Sequence, residues 1–160
     1  MGKELQVLSV MSELGAGTRG ASLGYEALKI ASIKSDIKFF TDRKVKTLPT
    51  ENHLLFEKDF QKTAVRLTGI AEMYAHIEEE VAQTINKAFP LVITGDHSNA
   101  GGTIAGIKKA NPDKRLGVVW VDAHSDLHSP YTTPTGNIHG MPLATALGMD
   151  NLENQKHPTG

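Results

Sequence analysis

The chain contains no cysteine, which excludes disulfides, a cysteine nucleophile and thiolate metal ligands. It has no apolar run long enough to span a bilayer, and Met1-Gly2-Lys3-Glu4 lacks the apolar core of a secretory signal, so the expected location is the cytoplasm. Neither sign of charge is in excess. Seventeen basic and eighteen acidic residues leave a formal charge of -1, so no global field favours nucleic acid or an anionic membrane, and small-molecule chemistry is expected. Internal repeats and low-complexity tracts are also lacking. What remains is 160 residues, 39% hydrophobic, which is enough for one cored domain, so residues 1–160 read as a single α/β unit.

Leu5 to Val10, Ile37 to Phe40, Leu91 to Thr94 and Leu116 to Val121 read as short buried strands, and Ala21 to Ile33 reads as a helix. Between Phe60 and Phe89, apolar Ile70, Met73, Ile77, Val81 and Ile85 recur at spacings of three and four, which predicts a long helix with one face on a sheet. Glu78, Glu79, Glu80 and Lys87 fall on its opposite side, and their ordinary reading is a solvated face. Thr41 to Lys46 and Pro49 to Asn52 read as a polar connection. Ser98 is placed to cap a helix through Gly102 to Lys109, ended at Asn111-Pro112. Gln155 to Gly160 reads as a loop that stops mid-architecture.

Chemistry concentrates in three segments: Gly95-Asp96-His97-Ser98, Val121-Asp122-Ala123-His124-Ser125-Asp126 and Gly136-Asn137-Ile138-His139-Gly140. While the chain is extended, Asp122, His124 and Asp126 leave from one face. At about 3.3 Å per residue, Asp122 and Asp126 would stand roughly 13 Å apart at Cα, too far for one ion with bonds of about 2.0–2.2 Å. Either the chain curls after His124 or the cluster holds two ions. Carboxylates with imidazoles and no thiolate suit Mn²⁺ first, with Fe, Co, Ni and Zn as competitors. His97 follows a strand, and ligands of open parallel sheets gather outside the carboxyl ends of strands, which brings both segments to one rim. Asp96 reads as orienting His97 or its own loop.

A rival motif is Gly15-Ala16-Gly17-Thr18-Arg19-Gly20, which fits G-x-G-x-x-G between a strand and a helix, with Asp42 downstream. It would suit a nicotinamide-dependent oxidoreductase. Met11-Ser12-Glu13-Leu14 separates it from the strand end, however, so the pyrophosphate could not pass directly from strand to helix N-terminus. The plain reading is a flexible turn.

The sequence resembles the arginase family, the ureohydrolases. Gly95-Asp96-His97-Ser98, Asp122-Ala123-His124-Ser125-Asp126 and Ser129 to Ala144 match its motifs in order and at similar spacing, most strongly over residues 89–148. A weaker likeness runs from Gly15-Ala16-Gly17 to Gly24. The resemblance implies a three-layer α/β/α fold with a mainly parallel sheet, represented here by its N-terminal part. It also implies two Mn²⁺ per site, with His97 on one ion, His124 on the other, and Asp122 and Asp126 as carboxylate ligands, Asp122 as the bridge. His139 would shuttle the proton. Thr133, Thr135 and Asn137 match positions that hydrogen-bond the substrate's α-amino acid end. His128 stands where arginases usually present an Asn that donates to the substrate carboxylate; a histidine can donate there, bring charge or bind metal.

The implied reaction is hydrolysis of the guanidino group of L-arginine to L-ornithine and urea through a metal-bridging hydroxide. Ser129 to Ala144 favours arginase over the alternative, agmatinase or another guanidino or formimino hydrolase. The resemblance further implies a small-molecule partner, neither nucleic acid nor membrane, and a homo-oligomer when complete. The family's later Asp-x-Asp pair and its guanidinium-binding Glu have no counterpart, since no Asp-x-Asp occurs in the chain. That leaves a second expectation, a metal-binding but inert fragment with an open sheet edge prone to association.

Overall fold

The computed structural model describes residues 4–35 and 37–149; the segment Gln155 to Gly160 lies outside them. Three strands, β1 (Leu5–Val10), β2 (Val45–Thr47) and β3 (Phe89–Thr94), form a parallel sheet in the order β2-β1-β3. The helices are α1 (Gly24–Lys34), α2 (Leu67–Ile85), α3 (Ala100–Ala110) and α4 (Pro142–Ala146). From β1 to β2 the chain moves one way across the sheet, and from β2 to β3 it moves back past β1. Right-handed crossovers therefore put α1 and α2 on opposite faces, the layering of an α/β/α fold.

β1 is the central strand, and its Val7, Leu8 and Val10 are fully buried. The apolar stripe of α2 lies against this centre: Ile70, Met73, Ile77 and Val81 are buried in the same core cluster as Leu8 and Val10. Each such side chain contributes about 1.5–3 kcal/mol on burial. α3 then packs closely on α2 because Gly102 and Gly106 share one face. A Cβ on Gly106 would lie 2.6 Å from the Glu78 carbonyl and 2.8 Å from Val81 Cβ. The acidic run of α2 is only partly a solvated face. Lys109 of α3 pairs with Glu78 and Glu79 at 2.9 and 3.0 Å, and Lys46 of β2 pairs with Glu80 at 2.5 Å.

Two expected strands are corrected. Ile37 to Phe40 lies in a turn whose Phe40 meets Tyr25 and Phe39 edge to face while Arg43 lies over the Phe39 ring. The second strand lies instead in the supposed polar connection, where Val45 aligns with Val7. An edge strand keeps one face in solvent, so Lys46 and Thr47 conceal it from a hydrophobicity reading. Leu116 to Val121 joins no ladder, and Val119 and Val121 are 91% and 92% exposed. Both edges of β1 are taken by β2 and β3, and among the described residues this segment does not pair with the outer edge of β3. Its β-branched composition is right for a strand, but a strand exists only with a neighbour.

Candidate metal centre

The site is built where β1 and β3 end. Gly95 follows β3, and a Cβ there would lie 2.5 Å from the Ser12 carbonyl, so glycine lets the two strand ends cross. Asp96 then caps the short 3-10 turn 97–99 that leads into α3, its Oδ1 accepting from the Ser98 amide at 2.9 Å. The expected cap, Ser98, is not used: its hydroxyl is buried without a hydrogen-bond partner among the described residues. The turn delivers His97 to the carboxyl rim of the sheet.

Three expected ligands converge there. His97 Nδ1 lies 3.4 Å from Asp122 Oδ2, and His97 Nε2 lies 3.5 Å from Asp126 Oδ1. One ligand atom from each of His97, Asp122 and Asp126 falls within a mutual 4.8 Å. Of the two ways out of the spacing problem, the curl is realised. Residues 122–124 bend and Asp126 takes a left-handed backbone, φ 51°. A non-glycine residue held there costs on the order of 1–3 kcal/mol, a cost found where function demands it.

The hydrogen bonds assign the free atoms. His97 Nε2 lies 2.5 Å from the His139 carbonyl. A carbonyl only accepts, so the ring proton sits on Nε2 and the Nδ1 lone pair is free to ligate beside Asp122. Asp126 is buried, and its Oδ2 accepts from Trp120 Nε1 at 2.9 Å, which leaves Oδ1 for a cation. Asp122 stays ionised: the His124 amide, at 2.8 Å from Oδ1, holds its pKa below the usual carboxylate range.

His124 does not join this group. Its side chain is 82% exposed, and its Nδ1 is 3.4 Å from Asp122 Oδ1. Asp122 thus stands between two imidazoles, Oδ2 toward His97 and Oδ1 toward His124. Beside the cluster opens a cavity of about 290 Å³ lined by His124, Asp126, His128, Thr133, Thr135 and His139, among others. Asn137 does not line it; its amide donates to the Ala16 carbonyl at 3.2 Å and ties the loop to the glycine-rich segment. Thr133 Oγ1 accepts from the Gly136 amide at 3.0 Å and Thr135 Oγ1 from the Asn137 amide at 3.2 Å, so both hydroxyls steady their own turn and keep a proton to donate. His128 Nδ1 is 3.2 Å from Thr132 Oγ1.

Two residues went unread in the sequence. Trp120 holds Asp126, as described. Glu13, buried, accepts from the Gly20 and Ser22 amides at 2.7 and 2.8 Å, and these bonds, those from Ser22 foremost, hold its pKa low. Its carboxylate sits where a phosphate would have to sit in the rival motif. The Gly15 amide is taken by Asp96 at 3.2 Å and the Gly17 amide by the Glu13 carbonyl at 2.8 Å. The loop is pinned rather than flexible, and its donors are spent on the protein itself. An acid just ahead of a glycine-rich turn that opens a helix was the available signal.

The model of the arginase family matches residues 3–157. Among curated relatives, the arginases of Brevibacillus brevis and Bacillus subtilis are each 37% identical, over 151 and 154 residues, covering 92% and 93% of this chain. Among solved structures, an arginase from Bacillus cereus matches at 37% identity with a TM-score of 0.72, covering 91% of this chain and 48% of its own. An Entamoeba histolytica arginase, solved in complex with L-ornithine, matches at 28% identity with a TM-score of 0.71, covering 93% and 51%. The chain spans about half the length of the curated relatives it matches. By fold, by sequence over nearly all its residues and by a match to the family's own pattern, the chain belongs to the arginase family.

Proposed function

We infer that this chain carries the metal-binding part of a manganese-dependent hydrolase that converts L-arginine to L-ornithine and urea, and that residues 1–160 act as one arginase-like domain. The observation that carries the reading is the convergence of Asp122 and Asp126 on His97. Oxygen donors with one imidazole nitrogen fit Mn²⁺ or another divalent first-row ion. His97, Asp122 and Asp126 would hold one ion, and His124 beside Asp122 would serve a second. A divalent cation bound there lowers the pKa of its water from about 15.7 toward 7, supplying a nucleophile at neutral pH.

The chain's own residues supply the rest. His139, lining the cavity, delivers a proton to the departing amine, the general-acid role an imidazolium can take. Thr133 and Thr135 offer hydroxyl protons to the α-amino acid end, and His128 donates to its carboxylate in place of the family's usual Asn. Asn137 acts from behind, by fixing the loop on Ala16. L-ornithine in the Entamoeba relative supports an amino-acid product. The working protein is cytoplasmic and homo-oligomeric on this reading.

A second reading has its own support. Without an Asp-x-Asp pair the 160-residue chain binds metal and turns nothing over. A substrate panel of L-arginine, agmatine and a formimino amino acid tests the first reading, using this chain and the same chain extended through any continuous downstream reading frame. L-arginine is expected to be preferred, and His128→Asn to retain that preference. A preference for agmatine would move the assignment within the family.

A further inference from the structure

We propose that Asp96 is a positioning residue that sets the tautomer of His139 through the Gly15 carbonyl. The buried Asp96 carboxylate is shared between two loops, Oδ1 on the Ser98 amide at 2.9 Å and Oδ2 on the Gly15 amide at 3.2 Å. It therefore locks the first glycine of the 15–20 segment onto the turn that bears His97. The contact tolerates no side chain, since a Cβ on Gly15 would lie 2.3 Å from Ser98 Oγ and 2.5 Å from Asp96 Oδ1.

On its other side Gly15 meets the catalytic loop. Its carbonyl accepts from the His139 amide at 3.2 Å and lies 3.2 Å from His139 Nδ1. One oxygen thus grips both the backbone and the ring of the same residue, using its two lone pairs. Because a carbonyl cannot donate, the ring contact selects the Nδ1–H form of neutral His139 and leaves Nε2 bare, the reverse of the Nε2–H form that predominates in free histidine. His97 receives the opposite assignment from the same loop, its Nε2 proton facing the His139 carbonyl. Two adjacent imidazoles are held in complementary tautomers by two backbone carbonyls, and Asp96 sets where one of those carbonyls stands. Under the proposed function, His139 then offers the pocket an acceptor that must first be protonated before it can serve as an acid. The tautomer itself does not depend on that function, and its measurement needs no turnover.

The test is long-range ¹H–¹⁵N spectroscopy of imidazoles in the metal-free 160-residue chain at about pH 8, above the ordinary histidine pKa of about 6.5. His139 is assigned by the signal lost in His139→Gln. The expected spectrum shows a protonated Nδ1 and a bare Nε2. Asp96→Asn, close in shape but unable to accept from both amides, should shift His139 to the Nε2–H form while backbone amides of β1 and α2 keep their positions. Gly15→Ala should do the same with the Asp96 carboxylate intact. A residue that merely caps the 97–99 turn would leave the His139 tautomer unmoved in the folded variants. That result, or an Nε2–H form in the unmodified chain, would overturn the proposal.

Discussion

Replacing His97 by alanine removes the only nitrogen from the group of three ligand atoms that lie within 4.8 Å of one another. Two carboxylates remain, one of them already holding Trp120 through its second oxygen. A ligand that binds only the folded state stabilises it by about 2.7 kcal/mol when present at about 100 times its Kd. For a chain of this size that raises Tm by roughly 5–11 °C, at about 2–4 °C per kcal/mol. Even loss of an outer-shell partner weakens metal affinity about 10–100-fold, and loss of a direct ligand is at least as severe. At the same Mn²⁺ concentration, His97→Ala then sits at no more than about 10 times its own Kd, and the stabilisation falls to about 1.4 kcal/mol for a 10-fold loss and about 0.4 kcal/mol for a 100-fold loss, roughly 1–6 °C. Differential scanning calorimetry of both chains with and without Mn²⁺ reads this directly. An equal Mn²⁺-dependent shift in both would refute the ligand assignment.

Glu13→Gln should lower stability by about 1–3 kcal/mol, because the Gly20 and Ser22 amides both donate to Oε1 and a neutral amide oxygen accepts them more weakly than a carboxylate. The folded pKa of Glu13 lies below its unfolded value of about 4.3, so its contribution is present above that pH and is lost as pH falls through the folded value. Denaturant midpoints followed down in pH should therefore show a shallower acid decline for the variant; parallel declines would contradict the assignment. The chain has one tryptophan, and its indole rests on Asp126, so its fluorescence should change saturably as metal is added. Asp126→Ala should abolish that change, and a retained response would place the ion elsewhere.

The parts of the fold that were legible in the sequence are those fixed by periodicity within one segment. β1 is mostly apolar, with Leu5, Val7, Leu8 and Val10 in six residues, and α2 shows its stripe from Ile70 to Val81 in spacing alone. β2 escaped notice because three edge residues with a lysine between them carry little apolar signal. Leu116 to Val121 was overread for the converse reason: propensity is local, but a ladder needs a neighbour that composition does not announce. In the site, His97, Asp122 and Asp126 were readable as ligand types, although only His97 follows a strand, since Leu116 to Val121 forms none. The curl that unites them depends on a left-handed backbone at Asp126, which few sequences disclose for a residue other than glycine. The supports were unevenly legible. Asp96 was legible as a residue that orients its own loop, which it does at the Ser98 amide, whereas Glu13 acts through backbone amides and Trp120 reaches Asp126 only because the chain curls between them. Asn137 was read as facing substrate, and the bond its amide makes to the Ala16 carbonyl was not legible in the spacing.

The most direct measurement is urea release from L-arginine by the purified 160-residue chain, stripped of metal and then given Mn²⁺, beside the chain extended through any continuous downstream reading frame. The expected result is release by the extended chain only, and only with metal. Mn²⁺ binding by both chains with no urea from either would contradict arginine hydrolysis and leave an inactive metal-binding role or a different substrate.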